Sequence, residues 1–509
     1  MIAPHVRTAG RAAVLAALLA SAAAPAAQQD TRLVEAARDG GPAEVRALLA
    51  QGVPGHAVEA DGTTALHWAV RADDPDTVRA LLRAGAMPAA ANRYGVTPLA
   101  LAAVNGSAAV TAMLLDAGAD PNAASGEGET VLMAAARTGR PEPVRLLLAR
   151  GADVHARERA FGETALMWAA GHDHPEVVRL LAAAGADLDA RSTVIELPPA
   201  KVDLATMVTT ALPKGGMTAL MYAGRQGAAA AAVALADAGA ALDLGDPDGT
   251  TALLFAIINV HFDVAARLVE KGADPNVGDS AGMAALYAAV DMANPDPLIN
   301  RPRATPSGRL RAPDLVGVLL AHGADPNGRL KAPLLMRQHN GGDASLGNGA
   351  TPLMRALKAG AIELTRRLLD GGADPSVAMQ NRTTTLMVAL GGRGARTLTP
   401  GVPVFQAIQL LLERGADVNA TNAAGETLLH QGVARGEAFV RLLAAHGAKP
   451  DVRDKSGRTP LDVALGVPAA APAGRGRGAR GGGPPPARAD DATLALLREL
   501  AKTAEAEPR

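Results

Sequence analysis

Apolar positions along this chain recur with one long period. Leu66, Leu99, Leu132, Leu166, Leu220, Leu253, Leu286, Leu353, Leu386, Leu429 and Leu461 each sit in a short apolar block. Most have a threonine two residues ahead, as in "TALHWAV" at Thr64, "TPLALAA" at Thr97, "TVLMAAA" at Thr130 and "TALMWAA" at Thr164. Most neighbouring leucines are 33 or 34 residues apart, and the larger gaps are that period plus an insertion. A glycine follows most anchors by nineteen residues, at Gly118, Gly151, Gly185, Gly272 and Gly372. Between anchor and glycine lie two apolar-periodic segments, for example Thr164 to Gly171 and Pro175 to Ala184. Each reads as a short helix with one buried face. The threonine caps the first helix, and the glycine ends the second by adopting a left-handed conformation.

A unit of helix, turn, helix and projecting hairpin at this period resembles the ankyrin repeat, whose T-P-L-H-x-A signature is present in part. Methionine replaces the histidine at Met133, Met167, Met221, Met354 and Met387. Twelve repeats are counted. The first, "RLVEAARDGGPAEVRALLAQG", lacks the Thr-Pro-Leu entry and reads as an amino-terminal cap. The last starts at "TPLDVAL", is interrupted by a Gly/Pro/Arg-rich linker at 467–489, and resumes in a final helix within 490–502. The resemblance implies an all-α ankyrin-repeat solenoid of about twelve helix–turn–helix repeats with β-hairpin fingers, occupying residues 28–509. Insertions at 191–215 and 328–347 lengthen fingers, whereas those at 293–312 and 391–403 lengthen helix–helix turns.

The amino terminus breaks the pattern. Arg7 and Arg11 precede the apolar run Ala12 to Ala24, and "APAAQQ" follows it. A basic start, a short apolar run and small residues together read as a secretory signal peptide over 1–27, cleaved near Ala26. The product is then periplasmic or secreted, with no membrane contact after cleavage. No cysteine occurs in the 509 residues, which excludes thiol catalysis, disulfides and thiolate metal sites. Fifty basic against 51 acidic residues give no global field for nucleic acid. "GRGRGARGGG" at Gly474 is similar to RNA-binding Arg-Gly segments but lacks an aromatic, and reads as a flexible linker.

One stretch carries candidate metal chemistry. His172, Asp173, His174 and Glu176 fall within five residues. Aligned on Leu166, however, Asp173 occupies the place of Gly106, Gly139, Gly227 and Gly360, and Pro175 that of Pro75 and Pro141. Proline there is the first residue of a helix. The stretch reads as a turn, and no metal or cofactor is expected. His67 and His430 fall in the T-x-L-H slot, where a histidine bonds neighbouring loops rather than catalysing a reaction.

Aromatics make only 2% of the chain, so their placement is informative. Successive helix residues advance by about 100°, and the residue two beyond the anchor faces away from the core stripe. Trp68, Trp168, Tyr222 and Phe255 take that place, and Tyr287 lies one position earlier. Tyr94 and Phe161 precede finger glycines. In the family resembled, the inner helices and fingers bind protein partners; the alternative is that these rings pack on the next repeat. The expectation is a monomeric, non-catalytic scaffold for another protein, with these seven aromatics as anchors. Its groove would be floored by Trp168, Tyr222, Phe255 and Tyr287 and walled by the two long fingers. A small-ligand site or an enzyme built from the insertions is the rival.

Overall fold

Leu66, Leu99, Leu166 and Leu353 have lost nearly all contact with water, and each lies in the first helix of a pair. The computed structural model describes residues 31–196, 214–293, 307–332, 346–391, 403–468 and 489–506. Among these, twelve helix pairs follow one another, from Arg32–Arg38 with Pro42–Ala50 to Pro460–Ala464 with Asp491–Ala506. The all-α architecture and the number of repeats are those expected from the periodicity. The signal-peptide segment and the middle of every insertion lie outside the described residues.

The chain packs as two compact units, Met1–Ala160 with Ala183–Ala186, and Phe161–Ala182 with Asp187–Arg509. The first contains the helix pairs of repeats one to four; the second contains the pairs from Ala165–Gly171 onward.

Local chemistry sets the helix ends. The hydroxyls of Thr64, Thr97, Thr164, Thr251 and Thr351 each accept from the backbone N–H three residues on, satisfying a donor that the helix itself leaves unpaired. After the second helix, Gly118 takes φ of 91° and Gly272 of 99°, which lets Ala119 N–H reach back to Leu114 O at 3.0 Å. The final helix extends four residues beyond its expected end, to Ala506, because Thr-Ala-Glu-Ala contains no helix breaker.

The hairpin fingers are short. Among the described residues they are tight turns closed by isolated bridges, such as Ala124 with Thr130 and Gly245 with Thr251. Too few residues separate the turns for a longer ladder. Successive fingers are instead joined by single backbone bonds: Arg93 N–H to Asp61 O at 2.8 Å in the first unit, Ser280 N–H to Asp248 O at 2.7 Å in the second.

Asparagines after the GAD glycines act as clamps between repeats. Asn276 donates to Gly323 O at 3.0 Å and accepts from Asp325 N–H at 2.7 Å. Asn327 repeats both bonds with Gly372 and Asp374, and Asn419 with Gly447 and Lys449. Asn122 does the same with Gly151 and Asp153 in the first unit. Each amide uses its donor and its acceptor on one neighbour, so it fixes spacing as well as orientation.

Candidate functional site

Trp168, Tyr222 and Phe255 stand in the same position of three consecutive first helices of the second unit, and all three are half-buried. Those helices pack side by side, so each ring gives part of its area to its neighbours and keeps the rest exposed. Tyr222 is the most constrained. Its hydroxyl donates to Glu163 Oε1 at 2.5 Å, and the Arg225 guanidinium lies over its ring at 4.9 Å. Burial first, and then the bond to the Glu163 carboxylate and its charge, push the Tyr222 hydroxyl well above its usual titration range. It remains a neutral donor throughout physiological pH.

Tyr287 is placed differently. It occupies the position directly after the anchor, the T-x-L-H slot, and is only 4% exposed. That slot is buried in most repeats: His67, Met133, Met167, Met221 and Met354 are all at 2% or less. One residue of helix is about 100° of rotation, enough to turn a side chain from the open face into the core. Tyr287 therefore offers no broad surface, and the floor of exposed rings ends at Phe255.

The finger aromatics are open. Phe161 is 53% exposed, and Thr193 N–H donates to its carbonyl. Beside it Val194 and Ile195 are 45% and 37% exposed, and Ile195 and Lys214 exchange backbone bonds at the base of the long finger. Leu197, Leu204, Met207 and Val208 of that insertion lie outside the described residues. In the first unit Tyr94 is 60% exposed under the Arg93 guanidinium, 4.8 Å from its ring. Trp68 is half-buried, with Arg71 at 5.4 Å; its indole Nε1 is buried without a hydrogen-bond partner among the described residues.

The histidines of the T-x-L-H slot are committed to structure. His67 Nδ1 accepts from Thr64 N–H at 3.2 Å, and its Nε2 lies 3.0 Å from Val96 O. His430 forms the same pair of bonds with Thr427 N–H and Arg458 O. Where methionine fills the slot, its sulfur takes over the first bond: Met133 Sδ lies 3.4 Å from Thr130 N, and Met221 Sδ 3.4 Å from Thr218 N. His172 and His174 stack with centroids 6.0 Å apart, and His172 Nδ1 lies 2.9 Å from Trp168 O. Among the described residues no three His, Asp or Glu side chains group as metal ligands, and no helix is long and apolar enough to cross a membrane.

Asp173 takes φ of 58°, as Gly106, Gly139, Gly227 and Gly360 take 70–77° at the same place, which is the turn read from the alignment. Sequence reasoning missed what its side chain does. Asp173 Oδ1 accepts from Ala231 N–H at 2.8 Å, in the first turn of Ala229–Asp237, where the cap residue Ala228 supplies no side-chain bond. It also missed the ion pair of Asp291 with Arg355, 2.5 Å apart with side chains 3% and 4% exposed. Arg355 stands two beyond its anchor, the place that Trp168, Tyr222 and Phe255 fill elsewhere.

With this geometry in place, the chain can be set beside known proteins. The family model for ankyrin repeats in three copies matches residues 33–125, 122–192, 200–296 and 403–467, and the single-repeat model matches 348–380. The chain belongs to the ankyrin repeat family, whose repeats are protein–protein interaction modules. It is 32% identical over 131 residues to cyclin-dependent kinase 4 inhibitor B of Homo sapiens, a match covering 25% of this chain and 87% of that protein. It is 30% identical over 162 residues to the E3 ubiquitin-protein ligase KEG of Arabidopsis thaliana, covering 30% of this chain but only 8% of the ligase. With ankyrin repeat and SOCS box protein 16 of Mus musculus it shares 38% identity over 118 residues, 23% of this chain and 25% of that protein.

Proposed function

We propose that this chain is a non-catalytic scaffold, exported to the periplasm, that holds a partner protein on the first-helix face and fingers of its second unit. The observation that carries the reading is the run of half-buried rings Trp168, Tyr222 and Phe255 at one helical position in consecutive repeats. Aromatic anchors that are rigid before binding lose little entropy on association, and Tyr222 is held from both sides by Glu163 and Arg225. Exposed Phe161, Val194 and Ile195 extend the apolar area at the finger bases. Such a face is of the kind that buries roughly 1,200–2,000 Å² in a specific complex. Export is supported by Arg7, Arg11 and the apolar run Ala12 to Ala24. The histidines bonded to backbone support a structural role for the groups that a hydrolase would otherwise use.

The test is affinity capture from a periplasmic extract with the mature chain, followed by Trp168→Ala and Phe255→Ala. Both substitutions should weaken capture while leaving the circular dichroism unchanged. Normal capture by both would place the site elsewhere. Amino-terminal sequencing checks export: an intact Met1 would end that part of the proposal.

A further inference from the structure

A cleft of about 160 Å³ opens beside Tyr287, between the finger that leads into repeat eight and the finger that leads into repeat nine. Its lining includes Asn276, Tyr287, Asp325, Arg329 and Lys331. Asn276 is engaged through its clamp bonds, and Asp325 Oδ1 accepts from Asn327 N–H at 2.8 Å. Asp325 brings one negative charge to the lining and Arg329 and Lys331 bring two positive, so the cleft keeps a net positive charge.

The two cations are placed by backbone geometry. Lys331 N–H donates to Ala281 O at 2.8 Å, which ties one finger to the other. The Lys331 stem lies against Gly282, where φ is +77° and a Cβ would come within 3.0 Å of Lys331 Cγ. Arg329 and Lys331 are both exposed, and among the described residues neither side chain has an ion pair or a hydrogen bond. Several other finger cations of the same unit are engaged. Arg191 donates to Gly216 O and Gly245 O, Arg382 to Thr421 Oγ1, and Arg458 to Asp454. Two uncommitted positive charges at the mouth of a small cleft attract a compact anion with an apolar stem.

We infer that this cleft receives a glutamate side chain from an extended segment of a protein partner. The aliphatic stem lies along Tyr287 and the carboxylate meets Arg329 and Lys331. This rests on the reading that the second unit binds a protein, and it names the chemistry of one contact. It also gives a use to Tyr287 as a cleft wall, although it is too buried to serve as an open anchor.

The experiment measures fluorescence anisotropy of a labelled decapeptide of alternating glutamate and glycine against the full mature chain, with the glutamine counterpart as reference. The glutamate peptide should bind about tenfold more tightly or better, and R329E/K331E should lose that advantage. R309E/R311E, the same charge change on exposed arginines of the repeat-eight turn, should leave it intact. Equal affinity for both peptides, or equal loss in the two double variants, overturns the inference. So does displacement of the peptide by inorganic phosphate at equal carboxylate and phosphate concentrations, which would make the cleft a small-anion site. The two readings separate in the capture assay. If R329E/K331E still captures the partner while Trp168→Ala does not, the cleft inference falls alone. If Trp168→Ala and Phe255→Ala capture normally, the scaffold site falls, whatever the peptide does.

Discussion

Asp173 Oδ1 accepts a hydrogen bond from Ala231 N–H at 2.8 Å, so a turn residue of one repeat caps the second helix of the next. Because Ala228 makes no side-chain cap bond, this contact satisfies a donor that the helix cannot satisfy itself. Asp173→Ala should destabilise the second unit by about 1–3 kcal/mol, through a lost cap and a left-handed alanine. Asp173→Gly should cost less, since only the cap is lost. Urea unfolding of the three proteins checks the order; equal stability of Asp173→Ala and wild type would refute it.

The buried pair of Asp291 and Arg355 predicts an asymmetry. Arg355→Met alone leaves a carboxylate buried without its cation and should cost about 3–5 kcal/mol. Adding Asp291→Leu should restore most of that loss, because an apolar pair avoids the desolvation of both ions. Equal instability of the single and double variants would show that other contacts of these residues dominate.

Stability should depend on pH through His67. Burial holds its imidazole below the usual histidine value, with partial opposition from its bond to Val96 O. Nδ1 accepts from Thr64 N–H, so protonation would set a donor against a donor. A folded-state value lower than the unfolded one means full stability above about pH 6.5, lost as pH falls through the folded value. His261, also lowered by burial, adds to the same window. The melting temperature should therefore drop from pH 7 to 5, and His67→Met, the residue used at Met133 and Met221, should flatten the curve. A profile as steep in His67→Met as in wild type would exclude His67.

Leu166→Ala should cost about 2–5 kcal/mol, as buried leucine truncations do. His174→Ala, in the turn, should cost far less. Zinc should leave the melting temperature unchanged; a rise abolished by His172→Ala and His174→Ala would overturn the turn reading.

Much of this was legible in the sequence because it is local. Thr164 caps a bond three residues away, Gly272 ends the helix it follows, and Asp173 substitutes for glycine at a left-handed position. Such features depend on φ, ψ and near neighbours, so a period of 33 or 34 residues displays them repeatedly. The first-helix aromatics were visible for the same reason, as a column in the alignment.

The sequence by itself determined the repeat, its caps, its turns and the all-α class. Tertiary structure alone decided which separated residues meet. Asp173 and Ala231 are 58 residues apart and Asp291 and Arg355 are 64, because one insertion lies between the first pair and two between the second, which removes the periodic offset. It also decided that Tyr287 turns inward while Phe255 stays half exposed. A shift of one residue rotates a side chain by about 100°, and only the packing of the neighbouring helix tells which side of that rotation is closed.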